Sequence, residues 1–298
     1  MAEAPRTHYR CRGMVDAPRL SICEFTTLPA SFDDDLIAYR AAGVQGIGVC
    51  EFKIAEDGAA AAKLRKSGLR ATHCVPVVPS ILPLEGMEGP EEPEARVEAL
   101  CASLRELAQL EPACCVFLTG PLGGRDEAEG RAIVREGIAA VAAAAQEAGV
   151  RVGLEPAHPS QRNGFSFVNT IPDALDLLEE AGAGSVGIMF DAWHLWDSPG
   201  LEAHIREHVD RIVGVHVADR REPTRSDFDR VFPGDGLIDL GPILRTLDES
   251  GYDGWYDIEI FSDNGAFGER FPDSLWDVEA RELARRARES FLRVWETR

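Results

Sequence analysis

"VGIMFDAWHLWDSPGLEAHIREHVDRIVGVHV" runs from Val186 to Val217 and reads as strand, loop, helix, strand. Residues 186–191 are apolar and β-prone up to Asp191, and "IVGVHV" at 212–217 repeats that character. Between them, "GLEAHIREHVD" has the periodicity of a short helix, with His204 and His208 four apart on a face that reads as solvated. Two strands joined by a helical crossover pair in parallel. The connecting loop holds Asp191, Trp193, His194, Trp196 and Asp197 before closing on Pro199-Gly200.

The same unit repeats outward in both directions. Strands are expected at 20–25, 46–51, 69–75, 113–118, 151–155, 186–191, 212–217 and 255–260. Helical patterns lie between them. "FDDDLIAYRAAG" places acids in its first turn and ends on Gly43. "EDGAAAAKLRKSG" ends on Gly68, and "TIPDALDLLEEAG" opens with Thr170 as N-cap and a proline in its first turn. Strict alternation argues for a parallel α/β fold, and an eightfold count favours a (β/α)8 TIM barrel. The doubly wound alternative wants a glycine-rich loop between an early strand and its helix. "GVQGIG" at 43–48 precedes a strand instead, and reads as a cap plus small packing residues. The expectation is a single domain over 1–298, with 1–18 as an N-terminal extension.

Composition narrows the function. The chain has 298 residues and a formal net charge of −20, a surface that repels phosphate backbones and excludes nucleic acid as an expected partner. Neither a signal peptide nor a run of apolar residues long enough to span a membrane is apparent. Seven cysteines without a CxxC pair read as free thiols in a reduced, cytoplasmic setting.

Barrel chemistry sits at the C-terminal ends of the strands. The fifth expected strand ends in Glu155 and the sixth in Asp191, while the seventh carries His216 and the eighth Glu259. Four consecutive strands thus bring three carboxylates and one imidazole to one rim. Like charges so grouped repel, and a divalent cation resolves that cost. The donor set suits one hard or borderline ion, Mn²⁺, Mg²⁺ or Co²⁺ first, with Zn²⁺ and Fe²⁺ open.

At these residues the chain resembles the xylose-isomerase-like barrels. This sugar phosphate isomerase/epimerase superfamily also holds inosose dehydratases, hydroxypyruvate isomerases and ketose 3-epimerases. The resemblance covers nearly the whole chain. It is carried by "VGLEPAHP", "FDAWH", "GVHVAD" and, most specifically, "PGDGLIDLGPILRTLDESGYDGWYDIEI". It implies that Glu155, Asp191, His216 and Glu259 ligate the metal, that Glu155 and Glu259 double as acid and base, and that His194 faces the substrate. The HxxD match at His216 and Asp219 makes Asp219 a candidate to orient the ligand. Two departures stand against a simple ketose 3-epimerase: Gln161 occupies the place of that branch's second Glu, and Glu222 that of its Arg. Endonuclease IV shares the barrel but needs further metal ligands that are not evident here.

The leading expectation is a metal-dependent isomerase or epimerase of a keto-sugar, keto-polyol or related hydroxy-carbonyl compound, working through an enediolate. A lyase is the alternative, either an inosose-type dehydratase or a 3-oxo-C-glycoside deglycosidase working with a small partner subunit. A non-catalytic sugar-binding barrel is the third. The catalytic candidates are Glu155, Glu259 and His194. His158, Glu51, His73, Trp193 and Arg221 are the candidate substrate-binding residues. Each has a plainer reading too: a turn for His158, the core for His73, barrel-top packing for Trp193, and surface salt bridges for Arg221, Arg225 and Arg230. Glu24 reads equally as a buried ion pair. A carbohydrate-like small molecule is the expected partner, and the resemblance implies a homo-oligomer.

Overall fold

A computed structural model describes residues 17–298 apart from 56, 57, 85, 86 and 88. The expected N-terminal extension therefore lies outside the described residues except for Ala17 and Pro18. Nine parallel strand segments form one sheet: β1 (Arg19–Cys23), β2 (Gly46–Gly48), β3 (Arg70–Ala71), β4 (His73–Cys74), β5 (Cys114–Phe117), β6 (Val152–Leu154), β7 (Gly187–Asp191), β8 (Ile212–Val217) and β11 (Trp255–Ile258). Their order is β3-β2-β1-β11-β8-β7-β6-β5-β4. The two outermost segments are consecutive in sequence, so the sheet closes on itself. Thr72 is the join. Its N–H donates to Ile47 O at 2.9 Å, and its carbonyl accepts from Cys114 N at 3.0 Å. The third expected strand is thus a single path that hands its hydrogen bonds from one neighbour to the other. This is the (β/α)8 TIM barrel expected from the alternation.

Helices α1 (Phe32–Ala42), α2 (Ala60–Ser67), α3 (Pro93–Leu107), α4 (Glu127–Ala148), α5 (Ile171–Glu180), α6 (Ala192–Leu195), α7 (Leu201–His208), α8 (Leu240–Glu249) and α9 (Ala280–Thr297) connect or cover the strands. Their ends follow local chemistry. Ser31 Oγ accepts the Asp34 N–H at 3.2 Å to start α1, and Gly43 ends it at φ 82°, a conformation costly for a residue with a Cβ. Thr170 caps α5 as its sequence implies. The expected helix from Glu56 begins only at Ala60, and its first two residues lie outside the described set.

The main core lies between sheet and helices. Phe190, Val215 and Ile258 are each fully buried there, and each burial contributes on the order of 1.5–3 kcal/mol. Side chains alternate along each strand. Met189 and Asp191 therefore leave the sheet on the opposite side from Phe190, into the barrel interior. The loop after β8 adds a small antiparallel hairpin, β9 (Asp219–Arg220) with β10 (Arg230–Val231), which the sequence showed only as a long charged loop. Among the described residues no helix is long and apolar enough to cross a membrane.

Candidate active site

β7 ends in Asp191, which at once caps α6: its Oδ1 accepts the Trp193 N–H at 2.8 Å. One oxygen is spent locally, and Oδ2 is turned to the barrel axis. Glu155 follows β6 directly, Glu259 follows β11, and His216 stands in β8. One donor atom from each of the four residues lies within 4.8 Å of the others, and all four side chains are buried. His216 Nδ1 is 3.2 Å from Glu155 Oε1 and 3.5 Å from Glu259 Oε2, so this ring nitrogen faces the cluster.

A fifth group completes the arrangement. Arg230, from β10, reaches in with Nη1 3.0 Å from Asp191 Oδ2 and 3.0 Å from Glu259 Oε2. Its guanidinium is 3% exposed and lies over the rings of Trp193 and Phe261, each 4.8 Å from the centroid. The sequence marked Arg230 only as one of three charges on a loop. Its direction is set by the β9–β10 pairing, which no local pattern announced.

The electrostatics follow from burial and neighbours. Burial pushes the Glu155 carboxyl up to about 7, His216 opposing and the other acids adding to it. Burial disfavours the charged His216 ring, but Glu259 and Glu155 outweigh it and carry the ring to about 10. Burial would raise Asp191 as well, yet Arg230 and the nearby histidines hold it below the usual carboxylate range. Burial lowers His194 to about 3 against the pull of Asp191, so its ring is neutral. His194 Nδ1 accepts the His158 backbone N–H at 3.2 Å, which leaves the ring proton on Nε2, 3.5 Å from Asp191 Oδ2.

The cavity above the cluster is two-sided. Glu155, His194, Arg230 and Glu259 line one part, and Phe25, Val75, Met87, Phe165 and Phe261 line much of the rest. The remaining expected site residues fall elsewhere. His158 is half-buried beside the site, its ring between Ser160 Oγ at 2.7 Å and Asp197 Oδ2 at 3.3 Å. Trp193 is fully buried, with the guanidiniums of Arg230 and Arg220 4.8 Å and 5.1 Å from its ring centroid. Glu51 Oε2 accepts the Val77 N–H at 2.7 Å, away from the cluster. His73 is fully buried in the barrel interior. Arg221 turns its guanidinium to Asp229 and Asp273. Asp219 spends its two oxygens on the backbone N–H groups of Arg220, Gly234, Gly236 and Ile238, holding the base of the hairpin loop rather than His216.

Residues 36–293 match the family model described as xylose isomerase-like TIM barrel. The chain belongs to this family. Among curated proteins, the xylose isomerase-like barrel resembles an inosose dehydratase of Klebsiella pneumoniae, 30% identical over 148 residues, covering 44% of this chain and 47% of that protein. It also resembles an inosose isomerase of Halalkalibacterium halodurans, 34% identical over 119 residues, covering 38% and 40% of the two chains. The chain thus spans about half the length of the curated relatives it matches. Among solved structures, protein SMc04130 of Sinorhizobium meliloti 1021 is 29% identical with a TM-score of 0.80, covering 93% of this chain and 98% of that one. The IolI protein, solved with a bound zinc atom, is 18% identical with a TM-score of 0.75, covering 93% and 97%, a likeness of fold.

Proposed function

We propose that this barrel is a divalent-metal-dependent isomerase or epimerase of a small hydroxy-carbonyl compound of the keto-sugar or keto-polyol class. One observation carries the reading: Glu155, Asp191, His216 and Glu259, in or just past four different strands, bring buried donor atoms within 4.8 Å of one another. Three carboxylates there face one arginine and one histidine. The donor set of oxygens and one imidazole fits Mn²⁺, Mg²⁺, Co²⁺, Zn²⁺ or Fe²⁺. The zinc in the IolI structure and the dehydratase and isomerase names of the curated relatives support the same class.

When bound, such an ion polarises the vicinal carbonyl and hydroxyl oxygens of a substrate. The protein's own groups then divide the work. Glu155 and Glu259 flank the cavity floor and are suited to remove a proton from the carbon next to the carbonyl and return it to the other face or the other carbon. Both carboxyls are buried and line the cavity, so each can reach a substrate held there. His194, neutral with its proton on Nε2, turns that N–H toward Asp191, and Arg230 supplies fixed positive charge where an enediolate develops.

The cavity's apolar part, with Phe25, Phe165 and Phe261, favours a second outcome from the same intermediate: expulsion of an apolar group or of water, a lyase reaction. The test is incubation of keto-sugars, inososes and 3-oxo-glycosides with the metal-loaded protein in D₂O. Deuterium at the α-carbon with all groups retained supports isomerisation, whereas loss of water or aglycone supports the lyase. Glu259→Gln is expected to slow either by about 10²–10⁴-fold. Unchanged turnover in that variant removes the acid/base role.

A further inference from the structure

Beneath the four-residue cluster, the barrel interior holds a second polar group that the proposed reaction does not use. His73 of β4, Asp257 of β11 and His216 bring ring nitrogens and a carboxylate oxygen within 4.8 Å of one another, all buried. Asp257 and His216 are register partners on adjacent parallel strands, so their side chains leave the sheet side by side. His73 joins them across the interior. Its ring centroid is 5.2 Å from that of His216, and its Nδ1 is 3.5 Å from Asp257 Oδ2.

His216 Nε2 and both ring nitrogens of His73 are without hydrogen-bond partners, and the oxygens of Asp257 have no close one. The hydroxyls of Ser21 and Thr72 are the donors nearest Asp257 and favour its charged form. An unsatisfied buried polar group is costly, so atoms grouped in this way call for mutual partners. The strands also make room for them. A Cβ at Gly48 would lie 2.1 Å from Asp257 Oδ2, and one at Gly214 would lie 2.7 Å from His73 Nε2. Histidines that ligate metals through one nitrogen donate the other N–H to a carboxylate, which fixes tautomer and ring direction. Asp219, three residues along from His216, is committed to the loop N–H groups and leaves that role open.

Resting on the four-ligand reading above, we propose that Asp257 and His73 form a positioning couple for His216. With Nδ1 turned to the metal position, His216 carries its proton on Nε2 and donates it to one Asp257 oxygen. The other oxygen takes an N–H from His73. The couple holds the imidazole in the plane and tautomer that ligation needs. A second cation among the three would have to displace the remaining His216 proton, so the couple predicts one ion per chain.

The experiment uses the full chain loaded with Zn²⁺, a diamagnetic probe, and reads three quantities: metal stoichiometry, affinity by chelator competition, and the ¹H and ¹⁵N shifts of the His216 ring. Expected are one ion per wild-type chain and a strongly deshielded Nε2 proton. In Asp257→Asn, affinity falls by about 10–100-fold and that proton moves upfield, while the melting temperature of the metal-free protein stays close to wild type. His73→Gln gives the same changes in smaller measure. Two ions per chain, or an Asp257→Asn variant with wild-type affinity and an unmoved proton, overturns the couple. The wild-type proton stands alone if a variant does not fold: a proton at an ordinary shift also overturns it. A wild-type chain that binds no ion overturns instead the four-ligand reading on which the couple rests.

Discussion

Two buried acid clusters lie at the same rim of the barrel, and they differ in where their countercharge comes from. Glu24, just past β1, and Asp35 of α1 share Lys53, whose ammonium donates to Asp35 and lies 3.7 Å from Glu24 Oε1. The rest of that cluster is supplied locally: Cys50 N–H donates to Glu24 Oε2 at 2.9 Å and Thr27 Oγ1 to Asp35 Oδ1 at 2.6 Å. It is closed to solvent and nearly self-contained, as the ion-pair reading of Glu24 expected. Across the rim, Glu155, Asp191 and Glu259 share one arginine and one histidine and line a cavity. Burial of acids alone is therefore no mark of function. Each cluster holds one more acid than it has cations, so what sets the second apart is that its acids converge with an imidazole and open on a cavity.

The largest effect expected from this contrast is in ion retention. Asp191→Ala removes a ligand and should weaken binding by more than about 100-fold, beyond the range seen when only an outer partner is lost. Metal analysis after gel filtration measures it, and full retention would erase the distinction between the clusters. Lys53→Met should do the converse. It leaves two buried carboxylates without their cation, and should cost about 3–5 kcal/mol in denaturant unfolding without changing ion stoichiometry. A loss of metal in Lys53→Met would mean the two clusters act as one.

A pH series sharpens the same point. In the metal-free protein the Glu155 carboxyl holds its proton below about 7 and His216 below about 10. Both protons must leave for an ion to enter. Apparent affinity should therefore rise with pH, steeply below 7 where two protons are displaced, then by about tenfold per unit up to pH 9 where only the His216 proton remains. Chelator competition at fixed ionic strength reads the slope. A flat profile would show that neither group holds a proton that the ion must displace.

The sequence revealed the acids of the open cluster more readily than their neighbours, for physical reasons. Glu155, Asp191, His216 and Glu259 each follow apolar residues near a strand's C-terminal end, which sets them at the rim, and alternation along the strand decides which face they leave. Asp257 carried a weaker form of the same signal. It stands two residues before Glu259 in "WYDIEI" and so shares its face, but only the register with β8 sets it beside His216. Arg230 carried no local signal, because a two-residue hairpin strand decides its direction. The contact of His158 N–H with His194 Nδ1 joins two loops after different strands. Trp193 is fully buried with two guanidiniums against its ring, a contact its loop position did not announce. The third strand was expected as one run over 69–75, and its two short segments arise because Thr72 pairs with a different neighbour on each side.

The smallest expected effect concerns Arg221. The hairpin loop has its own balanced acid: Asp229 is buried, yet Arg225 and Arg221 outweigh the burial and hold its carboxyl below the usual range. Arg221 also pairs with the half-exposed Asp273 at 3.1 Å. In Arg221→Ala, Arg225 still holds Asp229 through two side-chain hydrogen bonds of 2.7 Å, from Nε and Nη2, and a longer one of 3.4 Å from its backbone N–H. Partly exposed pairs of this kind contribute about 0–1 kcal/mol. Stability should therefore fall by no more than that, and KM for any substrate found should stay within about twofold of wild type. A KM that rises tenfold with stability unchanged would place Arg221 on the substrate when the loop closes, and would move the hairpin's acid cluster from the balanced class to the open one.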